Sequence, residues 1–121
     1  MTDKHIATDF RAAANVIRAR GRAIGIFVDE VTGAVCLSGA ISAAITGQPC
    51  PFLSELDPAT VDRLRRADLA IDAYVTRHRL VRFRAVATTP AAAWSDRVAT
   101  SADEVAELLE AAATELDNRT G

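Results

Sequence analysis

AVCLSGAISAAITG, residues 34–47, is the stretch that decides how this chain folds. Val35 and Cys36 end a short β-like run, and Ser38 to Thr46 follows at once as a small-residue helix stopped by Gly47. A cysteine at such a junction is a nucleophile, a metal ligand or a buried small hydrophobe, and each implies a different protein. Gly39 and Ala40 let another backbone come close to this helix, with Cys36 small enough to sit beneath it.

Upstream, residues 24–37 read as a β-hairpin. IGIFVD is apolar and β-branched, EVTG turns with Gly33 at positive φ, and AVCL returns. A lone hairpin is marginal in water, so this one has to pack on helices. Before it, Phe10, Ala13, Ala14 and Ile17 share one face of a helix from Thr8 or Asp9 to Arg20, closed by Gly21. Residues 1–7 are expected as a frayed tail.

Downstream, Pro49 and Pro51 keep Cys50 in a loop. Asp57-Pro58 opens the longest helix, whose stripe of Val61, Leu64, Ala67 or Asp68, Ile71 and Val75 runs to about His78. Residues 80–87 fit a strand or a continued helix. Pro90 starts a short helix carrying Trp94, the only tryptophan, and Ser101-Ala-Asp-Glu104 is a capping box for the last one. Val105, Leu108, Leu109, Ala112 and Leu116 line its apolar side. The expected fold is mainly α (α+β), with four to five helices and the small hairpin in one domain over 1–121.

The chain has 121 residues, 50% of them apolar and 25% charged, enough for a core without disulfides or metals. Much of the apolar share is alanine, which calls for closely approaching helices. A net charge of −2 gives no overall pull toward nucleic acid or anionic lipid. Charge is polarised, however: RHRLVRFR at 77–84 carries four arginines, and 98–117 carries six acids and no base. There is no leader-like apolar region and no membrane-length apolar run, and two cysteines fourteen apart suit free thiols. The expectation is a cytoplasmic protein with no membrane partner.

These residues offer several chemistries. Cys36 at a helix N-terminus is competent as a nucleophile, as in cysteine hydrolases that set their cysteine just ahead of Ser-Gly and an apolar helix. His78 or His5 would serve as base, with Asp96 or Asp72 orienting it. A zinc site from Cys36, Cys50, His78 and His5 lacks any recognised ligand spacing, so no metal is expected. Glycines are scattered as stops and turns, so no phosphate-cradling loop and no cofactor are expected. Arg77, Arg79, Arg82 and Arg84, extended by Arg63, Arg65 and Arg66, offer a polyanion-binding surface. Asp62 and Asp68 stand three or four residues from Arg65 or Arg66, with Asp72 five from Arg77, and these acids would neutralise part of it.

FRAAANVIRARG (10–21), Cys36-Leu-Ser-Gly39-Ala40-Ile41, Trp94-Ser-Asp96 and Thr100-Ser-Ala-Asp-Glu-Val105 together resemble an uncharacterised family of small actinobacterial and phage proteins, a domain of unknown function. The arginine-rich 77–84 segment departs from that pattern, where a plain helix end is expected. The resemblance implies architecture and host context but no activity. Cys36, Gly39, Ala40, Trp94 and Asp96 are expected to form a core device or the floor of a pocket. The leading expectation is a non-catalytic helical protein acting through protein contacts, as a phage-encoded accessory protein or a homodimer. Nucleic-acid binding through Arg77–Arg84 and a Cys36-dependent hydrolase are the alternatives.

Overall fold

The computed structural model describes residues 3–81 and 89–120. Among them are five α-helices: α1 (Asp3–Arg20), α2 (Leu37–Thr46), α3 (Pro58–Arg77), α4 (Pro90–Arg97) and α5 (Ala102–Thr120). A 3-10 turn at Leu53–Glu55 lies between α2 and α3. The expected strand-or-helix choice over 80–87 falls mainly on 82–88, which lie outside the described residues.

The helix boundaries follow local chemistry. Gly21 and Gly47 close α1 and α2 at φ of 89° and 86°, the left-handed conformation that costs a glycine least. Cys36 caps α2, its sulfur accepting the Gly39 N–H at 3.3 Å. Asp57 and Pro58 open α3. At α5, Ser101 Oγ accepts the Glu104 N–H at 3.1 Å, while Glu104 reaches back to the hydroxyl of Thr100 at 2.6 Å.

α1 starts at Asp3, earlier than the cap expected at Thr8 or Asp9, and Ile6 and Ala7 are buried. Two apolar side chains at the start of the helix face are enough to hold residues expected to fray. α1 packs most extensively on α5 and then on α2, while α3 lies against α2 and α4. Phe10, Ile17, Leu37, Ile41, Ile71 and Leu109 are the largest side chains sealed in the common core. Ala13, Ala14, Ala112 and Ala113 are also sealed there, which lets the helices approach closely. Burial of Leu64, Ala67, Ile71 and Val75 settles the α3 stripe and leaves Asp68 outside the core.

The β-hairpin over 24–37 does not form. Two isolated bridges meet at Val35 instead, a parallel one from Arg22 and an antiparallel one from Val28. The turn itself is present: Asp29 Oδ1 accepts the N–H groups of Val31 and Thr32, and Gly33 takes φ of 81°. The ladder cannot grow because α2 begins at Leu37, only a few residues past the turn. Gly25 at φ 77° bends the other arm outward, leaving Ile24, Ile26 and Phe27 about half exposed at 59%, 51% and 49%.

α1 is tied to its neighbours by ion pairs. Arg18 grips Glu110 of α5 through two hydrogen bonds of 2.7 and 2.8 Å, and Arg11 meets Asp117 at 2.6 Å. Asp9, only 3% exposed, receives both ends of the Arg63 fork from α3, one of them at 2.9 Å.

Candidate functional site

The N-terminal ends of α2 and α4, the middle of α3 and the bent 25–27 segment come together around one recess. They enclose a cavity of about 390 Å³, within the range that holds a small ligand or a side chain. Cys36, Leu37 and Ser38 come from the start of α2; Asp68, Ile71 and Asp72 come from α3. Thr89, Ala91, Ala92, Ser95 and Asp96 come from α4 and its cap, and Ile26 and Phe27 from the loop.

The local fold requires Gly39 here. Phe27 crosses the first turn of α2, and its carbonyl accepts the Cys36 N–H at 3.2 Å. A methyl group on Gly39 would stand 2.2 Å from that same oxygen. The close approach anticipated at Gly39-Ala40 is therefore made by the loop that walls the cavity. Ala40 and Trp94 lie in the core beneath it, Trp94 at 5% exposure and not among the cavity-lining residues.

Asp72 has a structural task as well. Its Oδ1 accepts the Ala91 N–H at 2.9 Å, placing a carboxylate at the positive end of α4. Burial raises its pKa, while the Ala91 N–H and the Thr89 hydroxyl pull it back down. Asp68 sits four residues earlier on the same side of α3, exposed at the rim yet with its carboxyl crowded by protein. That crowding, with the charge of Asp72, pushes its pKa up to about 6.

Cys36 is half-buried in the wall. Burial pushes the thiol above its ordinary range, the N–H groups of Gly39 and Ser38 oppose that rise, and the negative charge of Asp96 adds to it. Asp96 and Cys36 thus share the site. His78 does not join them: it is the C-cap of α3, lies against Tyr74 with ring centroids 4.3 Å apart, and bonds to Glu115 of α5. His5 is exposed on α1 and Cys50 exposed in its loop. No group of three metal-ligating side chains occurs among the described residues.

The arginines are also drawn elsewhere. Arg63 binds Asp9, Arg66 binds Asp62 at 2.7 Å, and Arg77 binds Glu115. Arg79 follows the α3 C-cap at φ 54°, whereas Arg82 and Arg84 lie outside the described residues. Of the three acids expected to neutralise the cluster, Asp62 does so, while Asp68 and Asp72 line the cavity.

The sequence brings Asp72 to Cys36 only as an acid orienting a histidine, and singles out neither Asp68, Ser95 nor the loop residues Ile26 and Phe27 for the site. A usable signal existed for the two acids. Asp68 stands four residues after Leu64 and three before Ile71, so a carboxylate borders the apolar stripe, and Asp72 repeats it one turn later.

The chain matches the model of DUF6197, a family of unknown function, over residues 1–115, and so belongs to that family. No curated protein and no solved structure matches it. Among the described residues no helix is long and apolar enough to cross a membrane.

Proposed function

We propose that this member of a family of unknown function is a non-catalytic binding domain, and that the α2–α3–α4 cavity is where it engages a partner protein. The observation that carries the reading is the cavity itself: a preformed recess with a mixed lining, rimmed by half-exposed Ile26 and Phe27. Concave sites with an apolar floor and a few converging polar groups are the usual seat of recognition. A non-catalytic role is supported by the thiol, whose pKa burial pushes upward, away from the thiolate a nucleophile needs, and by the engagement of His78 with Glu115. The resemblance read from the motifs extends the proposal to a phage-encoded accessory protein.

The test uses short capped peptides, acetyl-Gly-Ala-X-Ala-Gly-amide with X as Arg, citrulline, Leu or Glu, followed by amide chemical shifts. At least one is expected to move the signals of Phe27, Ser38, Ala92 and Ser95. Ala92→Phe, at a half-buried lining position, is expected to plug the recess and abolish the response with the remaining spectrum intact. No response at these amides from any peptide, or a response untouched by the plug, would overturn the reading.

A further inference from the structure

The cavity carries a definite sign of charge. Asp68, Asp72 and Asp96 line it, and no lysine, arginine or histidine does so among the described residues. Two helix N-termini also open there and would favour an anion, each by roughly half a positive charge. Those ends are already engaged: Asp72 holds the first turn of α4, and the Cys36 sulfur holds the N–H of Gly39 in α2. Roughly three negative charges in the lining, against roughly one positive from the helix ends and the Arg22 guanidinium on the Ser95 carbonyl at 2.8 Å, still leave the recess electronegative.

A second observation is independent of the acids. Ser95 is 0% exposed, lines the same cavity, and its hydroxyl oxygen is buried without a hydrogen-bond partner among the described residues. A buried polar group left unmatched costs on the order of 1–3 kcal/mol. An incoming N–H donor would satisfy it. The remaining lining, Leu37, Ile71, Ala91 and Phe27, suits the methylene stem of a long side chain rather than a compact ion.

We propose that the cavity receives an arginine or lysine side chain presented by the partner protein, its cationic head between Asp68 and Asp96 and its stem along Ile71 and Phe27. This deepens the binding reading above and rests on it. The head pairs with carboxylates that have no counter-cation in the lining among the described residues, and a guanidinium N–H supplies a donor to Ser95. The flanking Ile24 and Ile26 would cover the partner's backbone on either side of the inserted residue.

The same peptides test it, because citrulline keeps the shape of arginine and removes its charge. The Arg peptide is expected to bind at least tenfold more tightly than the citrulline peptide, and to weaken several-fold between 50 and 500 mM salt. Asp68→Asn and Asp96→Asn, each checked for an unchanged far-UV spectrum, should each weaken it at least tenfold. Asp72 is left intact because it caps α4. Equal binding of Arg and citrulline peptides, or indifference to both substitutions, overturns the cationic assignment while the binding reading survives. Silence from every peptide removes both. Agmatine, the same guanidinium without a peptide, separates the sources: binding as tight as the Arg peptide's would overturn a partner-borne side chain in favour of a free amine.

Discussion

Gly39→Ala is expected to destabilise the protein by about 2 kcal/mol, although the same change in an exposed helix would stabilise it. Gly39 lies inside α2 with ordinary helical geometry, so propensity alone predicts a gain of about 1 kcal/mol. Against this stands the Phe27 carbonyl oxygen 2.2 Å from the new methyl, with the Phe27 carbonyl carbon at 3.2 Å and Val35 Cβ at 3.4 Å. The loop would have to retreat by roughly 1 Å to restore ordinary contact. That oxygen belongs to backbone and accepts the Cys36 N–H, so retreat weakens a bond worth about 1 kcal/mol. Overpacking of this kind costs roughly 1–3 kcal/mol, and the balance falls near 2 kcal/mol. For a domain of this size the melting temperature should drop by about 8 °C. Urea unfolding followed by the fluorescence of Trp94 gives the free energy directly. A Gly39→Ala protein as stable as the parent would refute the claim that the loop is held against α2 at this point.

Four further outcomes follow from the same geometry. Cys36→Ser should preserve the α2 cap and leave stability unchanged or slightly raised, whereas Cys36→Ala should cost about 1 kcal/mol in a thermal melt. In the parent protein a thiol reagent should modify exposed Cys50 well before Cys36, whose labelling should rise only at higher pH. Asp68 has a folded pKa of about 6 against an ordinary 3.8, so the fold holds its proton more tightly than the unfolded chain does. Its contribution is therefore fully favourable below about pH 4 and is lost as pH rises through about 6. Asp68→Asn should match the parent in acid and melt above it at pH 7, and a constant offset across that range would refute the assignment. Arg63→Ala strands the carboxylate of Asp9, which is 3% exposed, and should cost about 3 kcal/mol in denaturant titration, with Asp9→Leu/Arg63→Met recovering most of it.

Local chemistry written along the chain determined the helices. The Gly21 and Gly47 stops, Asp57-Pro58 and the Ser101 capping box act within a few residues, and each stands where its spacing places it. The core faces of α3 and α5 were legible for the same reason, since a period of 3.6 residues needs no knowledge of the partner helix. The hairpin was misread because β-branched composition describes a preference, whereas a ladder needs length. The start of α2 removes the return strand, and Gly25 turns the other arm away. Only the tertiary structure decided the site. Asp68 and Asp72 of α3 meet Asp96 of α4 and Cys36 of α2 because three helices cross there, and no spacing in the chain encodes that convergence. It likewise sent His78 to Glu115, past the C-terminal end of α3, since a residue at a helix terminus takes its partner from whichever helix packs against that end.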